Sequence, residues 1–407
     1  MTPTRIELTA TDRARNVPAV FLTLATLALA ACGGGGGGGA YSGPAPSPPP
    51  APPPPPANAG YTFKSLVADH AGTSATTTDP NLVNPWGIVF GGTNPVWTAN
   101  NGTQTSSFYD GAGKIDGVVK LPSSQTNGDF DPTGIVFNGN NSEFVVSAGG
   151  KSGAASFIYS GESGLIAAWS GSVDGNNAIL TYTDQNGASY KGLTLANNGT
   201  ADFLYATDFK NNKVDVFDAT FAKQPATAFP FADPQLPAGY APFGIQAIQN
   251  GSGNTWQLYV TYAQQAGSGS IDNNNGAGLG LIDIYDASGK FVKRLVSTGA
   301  QLNAPWGLAL APKDFGSLSN LLLVGNFGDG KINAFDPASG AFSAALTDGT
   351  GAAFSVSGLW GIAFGNDGAS QPHNTLFYAA GTNDEKNGDY GRIDVNSSGS
   401  SSPQPGY

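Results

Sequence analysis

One pattern of apolar and polar positions recurs six times along this chain. Each copy opens on a turn that contains a glycine, and in four copies an aromatic residue directly precedes this glycine. A short apolar strand follows the turn. A second apolar strand ends in a polar loop, and a third ends at an aromatic-Asp turn; residues 303–336 show all three parts most clearly. The six turn glycines are Gly87, Gly134, Gly192, Gly244, Gly307 and Gly361.

The spacing of this repeat predicts the fold. The turn glycines lie about 47 to 63 residues apart, and a four-stranded propeller blade needs about 40–50 residues. The strands are short, rich in Val, Ile, Leu, Phe and Tyr, and separated by Asn, Gly and Asp turns, as expected for β structure. We therefore predict an all-β, six-bladed β-propeller over residues 61–396. In its second blade, Phe144–Ser147 is the predicted second strand and Ser156–Tyr159 the predicted third.

The two ends of the repeat region are predicted to meet. A fourth strand follows the aromatic-Asp turn, most clearly in residues 289–300, but no such strand follows the last copy. Residues 63–72 carry the same pattern ahead of the first copy. We expect residues 62–69 to pair with the strand around 391–395, so that the N-terminal strand completes the last blade. This closure removes free sheet edges.

The N-terminus has the features of an export signal. Residues 1–16 are polar and include three arginines, and the apolar run 17–31 is shorter than the roughly 20 residues of a membrane span. The run ends in Leu29-Ala-Ala-Cys32, which resembles the lipobox of bacterial lipoproteins. The resemblance implies a signal peptide over 1–32, a lipid on Cys32, a membrane as partner, and an outer-membrane or cell-surface location. An ordinary signal peptide with an incidental cysteine is the alternative.

The segments flanking the repeats have a low-complexity composition. Residues 33–60 are rich in Gly and then in Pro, which predicts a disordered tether with a flexible part and a semi-rigid part. Residues 397–407 are rich in Ser, Gly and Pro, which predicts a disordered tail.

Composition restricts the function. A formal net charge of −11 argues against nucleic acid as a partner, because a phosphate backbone requires a basic surface. One Cys, one Met and two His leave few groups for metal, redox or general-base chemistry. No nucleophile-elbow, Walker or dinucleotide motif follows a suitable strand. We predict no catalytic residues and expect no cofactor.

The aromatic residues that precede the turn glycines allow two interpretations. They could line a channel that binds carbohydrate or aromatic ligands, or they could pack between neighbouring blades. Packing is favoured, because quasi-symmetric packing calls for the same residue in several blades whereas a ligand site does not. The residues are Trp86, Phe243, Trp306 and Trp360.

Polar residues at the ends of the second strands form the other candidate site. They are Asn100, Ser147, Asp208, Thr261 and Asn326, with Asp384 in the loop of the last blade. Equivalent loops of a propeller converge on one face, where Asn and Asp oxygens could bind Ca²⁺. The favoured alternative is that these residues cap strand ends. The arrangement resembles lactonase-type six-bladed propellers, which implies a channel metal held by Asn100, Asp208, Asn326 and Asp384.

The repeat itself resembles known propeller sequences. Its aromatic-Gly turn, Leu-Tyr-Ala-Thr-Asp strand and Val-Phe-Asp turn are similar to NHL repeats. The segments 84–88, 97–101 and 303–308 resemble an uncharacterised bacterial family of exported propeller proteins. These likenesses imply the fold, but no activity, because propellers host many unrelated functions.

We therefore expect a lipid-anchored propeller of the cell envelope. It would be a binding or scaffold module for a small ligand, a glycan or a protein. The alternative is a metal-dependent hydrolase of the lactonase type, with its site in the central channel. Whether the protein is an enzyme stays open at this point.

Overall fold

The computed structural model describes residues 60–249, 255–299 and 301–396. Contacts divide the chain into two units, Met1–Pro54 and Pro55–Tyr407, and the described residues belong to the second. The predicted signal peptide over 1–32 with Cys32, the tether up to residue 59 and the tail 397–407 all lie outside the described residues.

Short antiparallel strands make up almost all of the described structure. The chain opens with β1 (Tyr61–Ala68) and β2 (Thr77–Thr78). Blade I contains β3 (Pro85–Phe90), β4 (Val96–Asn100), β5 (Thr105–Tyr109) and β6 (Ile115–Lys120). Blade II spans β7 (Pro132–Phe137), β8 (Val145–Ala148), β9 (Lys151–Ala154), β10 (Phe157–Gly161), β11 (Leu165–Trp169) and β12 (Ile179–Thr183).

The second half of the ring follows the same plan. Blade III contains β13 (Tyr190–Asn197), β14 (Asp202–Asp208) and β15 (Lys213–Asp218). Blade IV contains β16 (Tyr240–Gln249), β17 (Trp256–Gln264), β18 (Leu281–Asp286) and β19 (Phe291–Val296). Blade V contains β20 (Pro305–Leu310), β21 (Leu322–Asn326), β22 (Ile332–Phe335) and β23 (Phe342–Ala345). Blade VI contains β24 (Leu359–Phe364), β25 (Thr375–Ala380) and β26 (Asp389–Val395).

Helical structure is confined to three short segments of the described chain. Asn101–Thr103 and Gly316–Leu318 form 3₁₀ turns, and Thr382–Glu385 forms a four-residue segment with a kink. In the described ranges no helix has the length and apolar character needed to cross a bilayer.

The ring closes as the sequence predicts. The innermost strands β3, β7, β13, β16, β20 and β24 each contact the next one, and β24 contacts β3. Strand β1 pairs antiparallel with β26, with Thr62 opposite Asp394 and Ser65 opposite Gly391. The N-terminal strand thus completes blade VI, and the prediction of a six-bladed β-propeller is confirmed.

Blade II departs from its predicted strand assignment. Strand β7 pairs with β10, with Phe137 opposite Phe157, so the predicted second strand at 144–147 is wrong. Strands β8 and β9 instead form a separate hairpin. Phe144 and Val146 are buried in the apolar cluster that also holds Phe217 of blade III, whereas Val145 is 48% exposed. This one-sided burial gives the hairpin the sequence pattern of a blade strand.

Blade III has three strands in the part of the chain that the structure describes. The chain after β15 makes an isolated bridge between Phe217 and Lys223. Further on, Phe229 and Phe231 pack against Tyr205 of β14. These aromatics belong to the apolar cluster that blade III shares with blade IV, which also contains Leu258 and Tyr285.

Each turn glycine lies against the inner strand of the next blade. A Cβ atom built on Gly244 would lie 2.1 Å from the carbonyl oxygen of Trp306, and one on Gly307 would lie 2.5 Å from that of Trp360. At the closure of the ring, a Cβ on Gly361 would lie 2.6 Å from the carbonyl oxygen of Trp86. Glycine is required at these positions because neighbouring backbones approach too closely for any side chain.

We expect Gly244→Ala to destabilise the propeller by about 1–3 kcal/mol, because the added methyl group must force blades IV and V apart. The free energy of unfolding from urea titration measures this effect. The matched control is Gly267→Ala, since Gly267 is exposed and its Cβ would meet no atom within 4 Å. Equal stability of the two variants would contradict the tight inner-strand contact.

Candidate ligand-binding cavity at the ring axis

The residue before each turn glycine lies at the ring axis. Trp86 and Trp360 stack with their ring centroids 3.4 Å apart, and Trp306 meets them edge-on at 6.1 and 5.8 Å. Phe243 of blade IV contacts Trp360 of blade VI at 5.8 Å, although these blades are not neighbours. The four predicted packing aromatics therefore pack on one another at the centre of the ring, as an axial aromatic cluster.

The axis is almost closed beneath this cluster. Five of the six turn glycines and apolar residues that follow them line a cavity of about 40 Å³. A buried water requires about 10–15 Å³ of such space, so this cavity holds only a few water molecules. The axis beneath the cluster is therefore too narrow for any molecule much larger than water.

Three of the predicted metal ligands occupy equivalent positions in their blades. Asn100, Asp208 and Asn326 are fully buried, and each ends a second strand opposite the first residue of the inner strand. Asp208 Oδ1 accepts a hydrogen bond from the Ser189 N–H at 3.1 Å, and Asn326 Oδ1 accepts one from the Asn303 N–H at 3.2 Å. Both side chains thereby tie the segment before an inner strand to the second strand.

Asn100 is engaged within blade I in a similar way. Its Nδ2 donates to the Thr105 hydroxyl at 3.1 Å and to the Ser107 hydroxyl at 2.9 Å. Its Oδ1 accepts from the Thr98 hydroxyl at 2.9 Å. Ser147, a further residue of the predicted set, lies in the β8–β9 hairpin and donates to the Ser152 hydroxyl.

Asp384 is the one residue of the predicted metal set that lines the larger axial cavity. Within the described ranges, no group of three or more His, Cys, Asp or Glu side chains is placed to hold a metal ion. Calcium binding therefore stays a prediction from the sequence.

The larger cavity lies directly over the axial aromatic cluster. It measures about 520 Å³, and we refer to it as the axial cavity. Its charged lining residues are Glu162, Lys191, Asp272, Asp384 and Glu385. Its apolar lining residues are Trp86, Ile271, Phe327 and Trp360. Asp272, Glu162 and the pair 384–385 all come from loops that follow the second strand of a blade.

Lys191 occupies in blade III the position that aromatics hold in four other blades. Its side chain is buried, and its Nζ forms an ion pair with Glu162 Oε1. The same Nζ lies 5.1 Å from the centre of the Trp86 ring, within the range of a cation–π contact. Glu162 Oε2 also accepts from Asn101 Nδ2 at 3.0 Å. The charge of Lys191 is thus compensated by Glu162.

Glu385 sits on a strained loop at the rim of the cavity. Asn383, Asp384 and Glu385 have φ values of 54°, 52° and 63°, so three consecutive non-glycine residues are left-handed. Each left-handed residue costs roughly 1–2 kcal/mol, and such strain concentrates at functional sites. Asn84 Nδ2 donates to Glu385 Oε2 at 3.0 Å, and Asn84 Oδ1 accepts from Trp360 Nε1 at 3.1 Å. The loop is therefore anchored to the aromatic cluster.

The charged groups of the cavity act on one another. Burial raises the pKa of the Glu385 carboxyl, and the negative charges of Glu162 and Asp272 raise it further. The hydrogen bond from Asn84 and the charge of Lys191 oppose this rise in pKa. Glu385 is therefore held beside two other carboxylates, in surroundings that disfavour its negative charge.

One polar atom of the cavity floor has no partner. The Trp86 side chain is 3% exposed, and its Nε1 makes no hydrogen bond within the described residues. In contrast, the Nε1 atoms of Trp306 and Trp360 donate to the Lys191 carbonyl and to Asn84 Oδ1. A buried N–H without an acceptor costs about 1–3 kcal/mol of folding free energy.

Sequence reasoning did not identify Glu162, Lys191, Asp272 or Glu385 as site residues. Lys191 carried a usable signal, because a charged residue replaces the aromatic of the repeat. Glu162 follows the true second strand of blade II, but the incorrect strand assignment directed attention to Ser147 instead. Asp272 lies in a loop insertion outside the repeat, so the repeat pattern gives no guide to its position.

We expect the pH dependence of stability to report the environment of Glu385. Its pKa is raised above the ordinary 4.5, so the folded state binds this proton more tightly than the unfolded chain does. The resulting stabilisation is complete at low pH and is lost as the pH rises through the raised pKa. The free energy of unfolding of Glu385→Gln, relative to wild type, should therefore increase between about pH 4 and about pH 7. A constant difference, or a decrease, would contradict the assigned environment.

The protein is similar to several solved propeller structures at low sequence identity. Virginiamycin B lyase from Staphylococcus aureus superposes with a TM-score of 0.47 and 13% identity, over 82% of this chain and 99% of that one. A glucose dehydrogenase superposes with a TM-score of 0.47 and 14% identity, over 81% of this chain and 98% of that one. At these values the superpositions carry no argument about function.

Curated relatives are found among viral proteins, and no family model matches the chain. Uncharacterized protein R648 of Acanthamoeba polyphaga mimivirus is 33% identical over 333 residues, which cover 78% of this chain and 76% of R648. Uncharacterized protein L690 of the same virus is 32% identical over 307 residues, which cover 74% of this chain and 75% of L690. The expected membership of a bacterial family of exported propeller proteins is therefore wrong, since these relatives are viral. The chain belongs to the family that includes mimivirus proteins R648 and L690.

Proposed function

We propose that the protein is a binding module and that the axial cavity is its ligand-binding site. The propeller fold is consistent with a binding or scaffold role. The observation that carries the proposal is the convergence of ionisable side chains from blades II, III, IV and VI on this one cavity. Side chains from distant parts of a chain meet in this way where a rigid scaffold positions loops for recognition.

The dimensions of the cavity favour a small molecule over a glycan chain or a protein segment. Its volume of about 520 Å³ falls within the roughly 300–1,000 Å³ of small-ligand pockets. The aromatic cluster closes its floor, so a polymer cannot pass through the ring. Among the ligand classes expected from the sequence, a small ligand therefore fits best.

The metal-dependent hydrolase gains no support from the described residues. The side chains of Asn100, Asp208 and Asn326 form hydrogen bonds within their own blades, as described above. Attachment to a membrane through Cys32 likewise stays a prediction, because residues 1–59 lie outside the described ranges.

A cavity-filling substitution tests the proposal. Ser357 lines the axial cavity and is exposed, so Ser357→Trp should fill the cavity without disturbing the core. Ser355→Trp is the matched control, because Ser355 is exposed in the same loop but lies outside the cavity. A fragment library is screened against the full-length protein by saturation-transfer NMR.

Fragments that bind the wild type should lose their signal with Ser357→Trp and keep it with Ser355→Trp. The proposal fails if no fragment binds, or if every fragment that binds does so equally well to both variants.

A further inference from the structure

A buried cluster of one arginine and two aspartates ties the segment between blades III and IV to blade IV. This segment, residues 219–239, lies between β15 and β16, and we call it the connector. Asp233 of the connector meets Asp283 of β18 and Arg294 of β19, which lie opposite one another in blade IV. None of the three lines the axial cavity, so the cluster has a role beyond the proposed ligand binding.

We propose that Asp233 and Asp283 share one proton in the folded protein, and that loss of this proton to water loosens the connector from blade IV. In this arrangement Asp283 Oδ2 carries the proton and donates it in a hydrogen bond to a carboxylate oxygen of Asp233. The pair then has a single negative charge, which Arg294 balances. The fold thereby contains a contact that responds to pH.

The charge of the cluster balances only when one carboxyl group is protonated. Arg294 Nε donates to Asp283 Oδ1 at 2.9 Å, and Arg294 Nη2 forms an ion pair with Asp233 Oδ2. Among the described residues, Arg294 is the one cationic side chain that pairs with either aspartate. Asp283 is fully buried and the Asp233 side chain is 1% exposed, so little water is present to stabilise a second negative charge.

One oxygen of Asp283 indicates where the proton lies. Asp283 Oδ2 is buried and has no hydrogen-bond partner among the described residues, while the Asp233 carboxyl group lies within hydrogen-bonding reach of Asp283. Two ionised carboxylates have no hydrogen to share, whereas a protonated carboxyl group donates to a carboxylate. A proton on Oδ2 therefore satisfies an oxygen that otherwise has no partner. Two carboxyl groups that share a site in this way hold one proton between them.

The surroundings of Asp283 bring its titration close to the physiological range. Burial raises the pKa of its carboxyl group to about 6, and the negative charge of Asp233 also raises it, against the opposing effect of Arg294. The other titratable side chains that face the cluster are Tyr262 and Tyr285, whose hydroxyl groups bond each other at 2.7 Å. Burial raises the pKa of both hydroxyl groups, so the tyrosines stay neutral while Asp283 titrates.

The connector has few other ties to blade IV. Between residues 225 and 237, one backbone hydrogen bond reaches a described residue of that blade, from the Phe231 N–H to the Gly289 carbonyl at 2.8 Å. Phe231 has a φ of 38°, a left-handed conformation that is unfavourable for a bulky residue. Its ring packs on Tyr285 with centroids 5.1 Å apart. Repulsion between two ionised aspartates acts against these few contacts, so loss of the proton opens the connector and leaves the strands of the blade paired.

Hydrogen–deuterium exchange of the full-length protein, read by mass spectrometry at pH 5 and pH 8, tests the proposal. The closed connector binds the proton with a raised pKa and the open one does not, so the closed form loses stability as the pH rises through about 6. We expect the protection factor of peptides from residues 225–239, corrected for the intrinsic effect of pH on exchange, to fall about tenfold. Peptides from β21 should keep their protection factor.

Asparagine substitutions identify the proton. Asp283→Asn places an amide N–H where the shared proton lies, and Asp233→Asn donates in the opposite direction, so each variant keeps one carboxylate for Arg294. In both variants the protection factor of the connector should be the same at pH 5 and pH 8. Asp129→Asn is the matched control, because Asp129 is an exposed aspartate between β6 and β7 and takes no part in the cluster. It should behave like the wild type.

Equal protection of the wild-type connector at the two pH values would overturn the proposal, whether or not the variants fold. A tenfold fall that persists in either asparagine variant would overturn it as well, because another group would then lose the proton. The fragment screen against the axial cavity is independent of these results, so the ligand-binding proposal is tested separately.

Discussion

The close contact between each turn glycine and the next inner strand organises the whole structure. Because no side chain intervenes, the six inner strands approach closely enough to bring the preceding residue of each to the axis. The same contact recurs between blades VI and I, where Gly361 meets the carbonyl oxygen of Trp86. Two contacts therefore close the ring. One is the backbone contact between blades VI and I at the axis, and the other is the pairing of β1 with β26 at the outer edge of blade VI.

The candidate site arises where the repeat is broken. Four blades place an aromatic residue at the axis, but blade II supplies Thr133 and blade III supplies Lys191. The Thr133 hydroxyl donates to the Tyr190 carbonyl at 2.7 Å, which holds these two blades together without a ring. Lys191 draws Glu162 to the axis and so makes one side of the aromatic cluster polar. A symmetric ring of aromatics would be a structural core, whereas the asymmetry here places charged side chains at one end of that core, beside the axial cavity.

The sequence predicts those features that the repeat dictates. The number of blades follows from the spacing of the X-Gly turns, and the closure by residues 62–69 follows from the absence of a fourth strand after the last copy. Loop contacts do not follow from it, because the approach of Asp272 and Glu385 depends on how insertions fold over the axis. The hairpin at 145–154 misled the strand assignment, because an inserted hairpin with one buried face has the same apolar pattern as a blade strand. The bacterial affiliation was wrong because short turn motifs report the fold, which unrelated lineages share.

The most direct test of this account is a crystal structure of the full-length protein that resolves the ring axis. The account predicts that Gly361 lies in van der Waals contact with the Trp86 carbonyl oxygen, and that the Trp86 and Trp360 rings are stacked over a nearly closed axis. An open, water-filled channel with these rings turned away from the axis would contradict it.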